Sequence, residues 1–240
     1  MEISGSTALV TGANRGIGRA LVEELLGRGA AKVYAAARNP DRVTDLAAQD
    51  SRVVPIALDL TNHEQIAQAA EHAADVTLLV NNGGSLNVAD PLTGDLDAIH
   101  TDIVTNVVGP LVATRQFVPV LERNGGGAIV NLLSLVVFGS VPAMGGYSAS
   151  KAAAASLTQA LRAQLAERKI TVHGVYPGAV DTDMIRDFPI PKTSAAEVAS
   201  AILDGVRAGT ENIFPDPMAR DGYQAWRNDP AAFERRMGSM

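Results

Sequence analysis

The chain has 240 residues, of which 47% are hydrophobic, and it carries a formal net charge of −6 at pH 7. This length and apolar content predict one well-buried domain covering residues 1–240. Because the chain has no cysteine, disulfides, thiol nucleophiles and thiolate metal sites are excluded. The negative charge argues against a nucleic-acid partner, and residues 2–5 show no export signal, so we expect a cytoplasmic protein.

Short apolar runs rich in β-branched residues alternate with helical patterns along the chain. The predicted strands are residues 7–11, 32–37, 53–57, 77–81, 128–133 and 171–176, with a weaker seventh at 212–215. The predicted helices are residues 19–28, 63–73, 96–122 and 149–168, followed by one that opens with the capping-box spacing of Ser194 and Glu197 and stops at Gly209. This alternation predicts a doubly wound parallel sheet with helices on both faces.

The longest uncharged stretch, residues 128–150, is long enough to raise the question of a membrane span. Asn131, Ser134, Pro142 and three glycines interrupt it. Since a membrane helix must satisfy its own backbone without water, a buried strand followed by a loop is the better interpretation, and we expect no membrane partner.

A glycine-rich turn, TGANRGIG at residues 11–18, lies between the first predicted strand and a helix. In that context glycines let the backbone approach a pyrophosphate, and the helix presents free N–H groups to its charge. The alternative is a tight turn that needs glycine for its dihedral angles and binds nothing. The strand-turn-helix context favours a dinucleotide site in a Rossmann-type fold.

Tyr147 and Lys151 are four residues apart in an alanine-rich segment, so a helix there places both on one face. A neighbouring ammonium favours the phenolate, which predicts a lowered tyrosine pKa and acid/base chemistry. Ser134 follows the uncharged strand, at the sheet edge where ligands of such folds bind. Taken alone, Tyr147 and Lys151 would be a pair on a helix surface, and Ser134 would cap a turn. Only their combination indicates catalysis.

The turn resembles the TGxxxGxG fingerprint of the short-chain dehydrogenase/reductase family, and the order and spacing of Ser134, Tyr147 and Lys151 are similar to that family's active-site block. Further similar segments, reaching from about residue 7 to residue 184, are NNGG at 81–84, Asn106, Asp59-Leu60 and YPGAVDT at 176–182. Two departures are Gly83 in place of the usual alanine and Leu133 where many members carry a first serine.

The resemblance implies a role for each matching residue. Ser134 would orient a carbonyl group, Tyr147 would act as the acid/base, and Lys151 would lower the tyrosine pKa and bind the nicotinamide ribose. Asn106 would sit at a local helix kink that holds a water linking the lysine to solvent. The implied cofactor contacts are Gly12, Asn14, Arg15, Gly16, Ile17, Gly18, Arg38, Asp59, Leu60, Asn82, Gly83, Tyr147, Lys151, Pro177, Gly178, Val180 and Thr182.

The charges after the second strand predict NADP(H) as the cofactor. No acid occupies the expected ribose position, Ala37, and Arg38 is placed to pair with a 2′-phosphate, with Arg15 as a second cation. Either arginine could instead be a solvated surface charge. From the positions of these motifs we expect residues 1–125 to form a cofactor half and residues 126–240 to form an active-site and substrate half.

The substrate is expected to be a small or medium hydrophobic carbonyl compound, or the matching alcohol. Its pocket is predicted from Ser134, Val136, Met144, Tyr147, Met184 and Ile185. Two alternatives remain: a 3-oxoacyl thioester reductase of the same family, and a regulatory protein that binds NADP without turnover. The resemblance further implies a homodimer or homotetramer.

Two features lie outside this pattern. The four histidines show no metal-ligand spacing, so no metal is expected. The tail from residue 212 to residue 240 departs from the family pattern, and its aromatics predict a packed surface helix.

Overall fold

Seven apolar segments form one parallel sheet in the computed structural model, which describes residues 1–240. The strands are β1 (Thr7–Thr11), β2 (Lys32–Ala37), β3 (Val53–Ala57), β4 (Leu78–Asn81), β5 (Gly127–Leu132), β6 (Ile170–Val175) and β9 (Asn212–Ile213), and their order is β3-β2-β1-β4-β5-β6-β9. Two further short strands, β7 (Val180–Asp181) and β8 (Thr193–Ser194), pair with each other. The doubly wound parallel sheet predicted from the sequence is confirmed.

Helices cover the sheet on both faces, because nearly every strand side chain is apolar and needs a covering layer. They are α1 (Gly16–Gly27), α2 (Thr44–Gln49), α3 (His63–His72), α4 (Leu96–Ile103), α5 (Gly109–Arg123), α6 (Gly145–Leu165), α7 (Ala195–Arg207), α8 (Pro217–Asn228) and α9 (Pro230–Gly238). One buried cluster joins α1, α2 and α7 to the sheet. A second cluster joins α3, α5 and α6 to the opposite face.

The strand order reverses between β1 and β4, whose registered pairs run from Ala8 with Leu78 to Val10 with Val80. The chain leaves β1 toward one side of the sheet and leaves β4 toward the other. A crevice therefore opens at the carboxyl ends of these two strands, which is where open α/β sheets bind ligands.

The helices differ from the predicted ones in several places. The helix α6 begins at Gly145, four residues before the predicted start, so that its first turn includes Tyr147. The helix α2 was not predicted. The tail forms two helices in place of one, because Asp229 accepts a hydrogen bond from the Ala232 N–H at 2.9 Å and Pro230 starts a new helix.

One helical run, Leu96–Arg123, is long and apolar enough to cross a membrane by length and composition, a test that core helices also pass. It comprises α4, a π-helical turn at Val104–Val108, and α5. The buried Asp102 lies within it, and its two parts contact α6 and α3. These contacts make the run part of the helical layer over the sheet.

His173 on β6 is buried, with 1% of its surface exposed. Its Nδ1 lies 2.7 Å from the Thr210 carbonyl oxygen, which only accepts, so Nδ1 carries the hydrogen. Its Nε2 lies 3.1 Å from the Thr171 hydroxyl, which donates to it. Burial lowers the pKa of His173, and the fold therefore holds the neutral imidazole.

Because the folded-state pKa of His173 lies below its unfolded value of about 6.5, the unfolded chain takes up this proton first as the pH falls. The stability that His173 contributes should be fully present above that value and decrease as the pH falls below it. We expect His173→Gln to flatten the loss of unfolding free energy between pH 7 and 5, measured by urea denaturation. His100→Gln, at an exposed site on α4, should keep the wild-type slope, and equal slopes in all three proteins would contradict this assignment.

Candidate active site

A cleft of about 760 Å³ lies over the carboxyl ends of the central strands. It brings together every cofactor residue predicted from the sequence: Gly12, Asn14, Arg15, Gly16, Ile17, Gly18, Arg38, Asp59, Leu60, Asn82, Gly83, Tyr147, Lys151, Pro177, Gly178, Val180 and Thr182. The predicted substrate residues Ser134, Val136, Met144, Met184 and Ile185 line the same cleft. Asn106 does not line it and lies behind its wall.

The glycine turn has no room for side chains. A nucleotide phosphate can therefore approach its backbone. Gly12 and Gly16 have positive φ angles of 67° and 53°. A Cβ on Gly18 would lie 2.2 Å from the Gly12 carbonyl oxygen and 2.4 Å from the Asn82 amide nitrogen. No side chain caps the N-terminus of α1, so its first N–H groups and its positive dipole end are available to an anion.

A set of hydrogen bonds connects the ends of β1 and β4. The Thr11 hydroxyl donates to the Val80 carbonyl at 3.3 Å and accepts from the backbone N–H groups of Asn82 and Gly83 at 3.0 and 2.9 Å. The Asn82 side chain donates back to the Thr11 carbonyl at 2.8 Å. These hydrogen bonds hold the ends of β1 and β4 at a fixed distance. They give the structural reason for a threonine at residue 11.

Ser134, Tyr147 and Lys151 are all buried at the edge of the cleft. Ser134 follows β5, and its hydroxyl accepts from the Val136 N–H at 3.4 Å. The Lys151 ammonium donates to the Leu132 carbonyl at 2.8 Å and lies 5.7 Å from the centroid of the Tyr147 ring. The four-residue spacing thus places both side chains on the face of α6 that meets β5.

Burial raises the pKa of Tyr147 to about 12, although the Ser134 hydroxyl opposes this shift and the charge of Asp102 adds to it. Burial lowers the pKa of Lys151 to about 8, and Asp102 opposes that shift. The lowered tyrosine pKa expected from the sequence is not found, because burial of the phenol has the largest effect, and the role of Lys151 stays a prediction. The reason is physical: both groups are desolvated, and the cost of ionising a buried phenol exceeds any help from the amine.

Asn106 lies in the π-helical turn that separates α4 from α5, so the predicted helix kink is present. Its amide nitrogen donates to the Ser85 carbonyl and to the Ser150 hydroxyl, each at 2.9 Å. Its amide oxygen accepts from the Ser85 N–H at 2.9 Å. Asn106 therefore connects the loop after β4 to the helix that carries Tyr147, while its predicted link to a water stays a prediction.

Sequence reasoning missed Asp102, which is fully buried. Its carboxylate accepts from the Ser85 hydroxyl at 2.6 Å and from the backbone and side-chain N–H groups of Asn87 at 3.1 and 2.9 Å. Together with Asn106 it holds the loop after β4. The available signal was the four-residue spacing from Asp102 to Asn106, which puts both on one helix face.

Three arginines line the other end of the cleft. Arg38 and Arg42 are exposed and make no ion pair, whereas Arg15 lies 3.4 Å from Asp183. Arg42 was missed because it belongs to a one-turn helix, Pro40–Val43, that brings it back toward the cleft. The Asp59 carboxylate accepts hydrogen bonds from the N–H and hydroxyl of Thr61, both at 2.8 Å, so Asp59 stabilises the turn after β3.

No group of three or more His, Asp or Glu side chains is placed to hold an ion. The cleft offers a backbone cradle for phosphate at one end and a buried phenol, hydroxyl and amine at the other.

Comparison with known proteins gives one family. A family model described as short chain dehydrogenase matches residues 6–191. The solved structure of a short-chain dehydrogenase from Burkholderia cenocepacia J2315, in complex with NADP, is 41% identical, with a TM-score of 0.94 and 99% of each chain covered. The NADP-dependent 3-hydroxy acid dehydrogenase of Schizosaccharomyces pombe is 31% identical over 91% of this chain and 85% of its own. A short-chain dehydrogenase/reductase from Burkholderia phymatum, solved with NAD, is 24% identical with a TM-score of 0.87 over 97% and 96% of the chains, and it shows the fold alone.

Gly18→Ala tests the cradle, because the new Cβ would overlap the Gly12 carbonyl. We expect a loss of about 1–3 kcal/mol in unfolding free energy from overpacking, and at least a roughly tenfold weaker NADPH affinity. Gly27→Ala is the matched control in the same helix, since its Cβ meets nothing within 4 Å. It should be neutral or slightly stabilising and bind NADPH normally. Urea denaturation and NADPH fluorescence titration measure both quantities, and unchanged NADPH affinity in Gly18→Ala would refute the cradle.

Proposed function

This chain belongs to the short-chain dehydrogenase family of NAD(P)-dependent oxidoreductases, and we propose that it reduces a ketone or aldehyde to the alcohol with NADPH, or catalyses the reverse. The observation that carries the proposal is one cleft that holds the glycine cradle at one end and Ser134, Tyr147 and Lys151 at the other. A regulatory protein that only binds NADP would not need a buried proton donor such as Tyr147 in the same cleft.

In the proposed reaction the bound dihydronicotinamide supplies the hydride. Tyr147 donates its phenolic proton to the oxygen of the carbonyl group, which becomes the alcohol. With a pKa of about 12, the phenol keeps its proton at neutral pH and is ready to act as the acid in the reductive direction. Alcohol oxidation would need the phenolate instead.

Ser134 and Lys151 prepare this proton transfer. The Ser134 hydroxyl lies in the same cleft and donates a hydrogen bond to the substrate oxygen, which fixes the carbonyl beside the phenol. Lys151, with a pKa of about 8, is mostly protonated at pH 7. One of its N–H groups donates to the Leu132 carbonyl, and the others remain free to donate to a ribose hydroxyl.

The arginines support NADP(H) over NAD(H). Ala37, at the end of β2, carries no carboxylate for ribose hydroxyls, and both Arg38 and Arg42 line the cleft without an acidic partner. Guanidinium groups bind phosphate oxygens through charge-assisted hydrogen bonds. The Burkholderia cenocepacia relative was solved with NADP, in agreement with this choice.

A 3-hydroxy acid is a second candidate substrate, because the Schizosaccharomyces pombe relative is named for that activity. Such a substrate carries a carboxylate that needs a cation. The cations that line the cleft are Lys151 and the three arginines of the phosphate end, Arg15, Arg38 and Arg42. Beside the predicted substrate residues the cleft is lined by no cation except Lys151, and Arg186, which follows Ile185, is paired with Asp183, so an uncharged carbonyl compound fits better.

Tyr147→Phe removes the proton donor and keeps the ring. We expect turnover to fall by a factor of about 10² to 10⁴, while NADPH affinity stays within about threefold. Tyr34→Phe is the control, since its phenol donates to Asp75 at 2.8 Å outside the cleft. NADPH oxidation at 340 nm against ketones, aldehydes, 3-oxo acids and acyl thioesters measures turnover. Full activity in Tyr147→Phe would defeat the mechanism, and tight NADPH binding without turnover of any compound by the wild type would favour the regulatory alternative.

Arg38→Ala and Arg42→Ala test the cofactor choice. A charge-assisted hydrogen bond contributes about 1.5–3 kcal/mol, so each change should weaken NADPH binding by about 10- to 100-fold and leave NADH binding within about threefold. Arg123→Ala, at an exposed site on α5, should change neither affinity. Fluorescence titration with both cofactors is the measurement, and equal wild-type affinities for NADH and NADPH would overturn the assignment.

A further inference from the structure

The last two helices of the chain pack against the part of the cleft predicted to hold the substrate. Phe233 and Met237 of α9 form a buried cluster with Leu135 and Val141, and the predicted substrate residues Val136 and Met144 pack on that cluster. The side chains of Met237 and Met240 line the cleft itself. A segment about 100 residues away in sequence thus forms a wall of the pocket.

Glycines make this packing close. A Cβ on Gly139 would lie 2.7 Å from Met237 Cγ and 2.9 Å from Phe233 Cε1. A Cβ on Gly222 of α8 would lie 2.6 Å from Leu135 Cδ2. Because neither position has room for a side chain, the helices lie directly on the loop that follows Ser134.

Asp216 holds the same helices at a second point. It is fully buried, and its carboxylate accepts from the Ala219 N–H at 2.9 Å, which caps α8. The other carboxylate oxygen accepts from the Gly178 N–H at 2.9 Å. Since Gly178 lines the cleft, Asp216 joins the start of α8 to the cofactor-facing segment that follows β6.

The cleft as a whole has an unusual composition. The chain contains six methionines, and five of them line the cleft: Met144, Met184, Met218, Met237 and Met240. Methionine is unbranched and polarizable, so a cluster of its side chains adapts to apolar groups of different shape. Ile185, Phe188 and Ile190 add further apolar surface to the cleft.

Charge at this end of the cleft is already neutralised. Asp183 lines the cleft next to Met184, and it pairs with Arg186 and with Arg15 of the phosphate end. A carboxylate or phosphate on a substrate would therefore be desolvated here without a partner, which is costly.

We propose that α8 and α9 close the substrate end of the cleft and that Met237 and Met240 select, with the other three methionines, an uncharged carbonyl compound with a bulky apolar group. This inference rests on the proposed function, since it names the substrate class of the same site. It makes Met237 and Met240 specificity-determining residues and leaves the proton chemistry to Tyr147.

Binding is tested without turnover by NMR of the full-length protein carrying [methyl-13C]methionine, saturated with NADP⁺. Benzophenone is the bulky probe and acetone the small one, and neither can react because NADP⁺ holds no hydride. We expect benzophenone to shift the methyl signals of Met237 and Met240, which are assigned through Met237→Leu and Met240→Leu. Met1 packs on the buried cluster of α1, α2 and α7 and should not respond. Acetone should leave the Met240 signal unchanged.

Kinetics give an independent readout. Met240→Ala is the first variant, because Met240 is 66% exposed and its loss does not threaten the fold. Met240→Ala and Met237→Ala should each raise KM for benzophenone by about tenfold, with kcat and KM for a small aldehyde within about threefold. Glu234→Ala, on the exposed side of α9, is the control and should match the wild type.

The outcomes separate the two proposals. Turnover of ketones with no response of Met237 and Met240, in NMR and in KM, overturns the inference and leaves the proposed function intact. Methyl shifts without turnover of any carbonyl compound support the pocket and overturn the proposed function. Preferred turnover of 3-oxo acids, with no benzophenone binding, overturns the inference.

Discussion

The close contact between the ends of β1 and β4 is the constraint on which the rest of this structure depends. A Cβ on Gly12 would lie 2.9 Å from Gly83 Cα, and the Thr11 hydroxyl holds three backbone groups of the β4 end. This spacing brings the start of α1 over the sheet edge, where its free N–H groups face the cleft. A wider gap would separate the phosphate cradle from the β5 edge, where Ser134 lies.

Burial then determines the chemistry of the opposite end. Tyr147, Lys151 and Asp102 are all nearly inaccessible to water, so each charge is felt strongly by its neighbours. Asp102 has no cationic partner in contact and is satisfied by three hydrogen-bond donors from Ser85 and Asn87. Its charge raises the pKa of both Tyr147 and Lys151. Asp102 on α4 is thereby part of the electrostatic environment of the cleft, and the loop after β4 that it holds forms one of the cleft walls.

The two ends of the cleft are built by different means. At the phosphate end the backbone forms the site, because glycines at residues 12, 16 and 18 leave no side chain in the turn and the start of α1 is uncapped. At the substrate end side chains from distant parts of the chain meet, and α9 packs on the loop after β5 only because Gly139 leaves room for Met237.

The sequence by itself determined the strands, the parallel sheet and the cofactor-facing glycine turn, because continuous apolar runs and the glycine turn are local signals. Ser134, Tyr147 and Gly18 could be found in this way. The pKa of Tyr147, the burial of Asp102, the return of Arg42 toward the cleft and the position of Met237 were decided by the tertiary structure alone. Each depends on desolvation or on a contact between segments far apart in the chain, and neither is written in local composition.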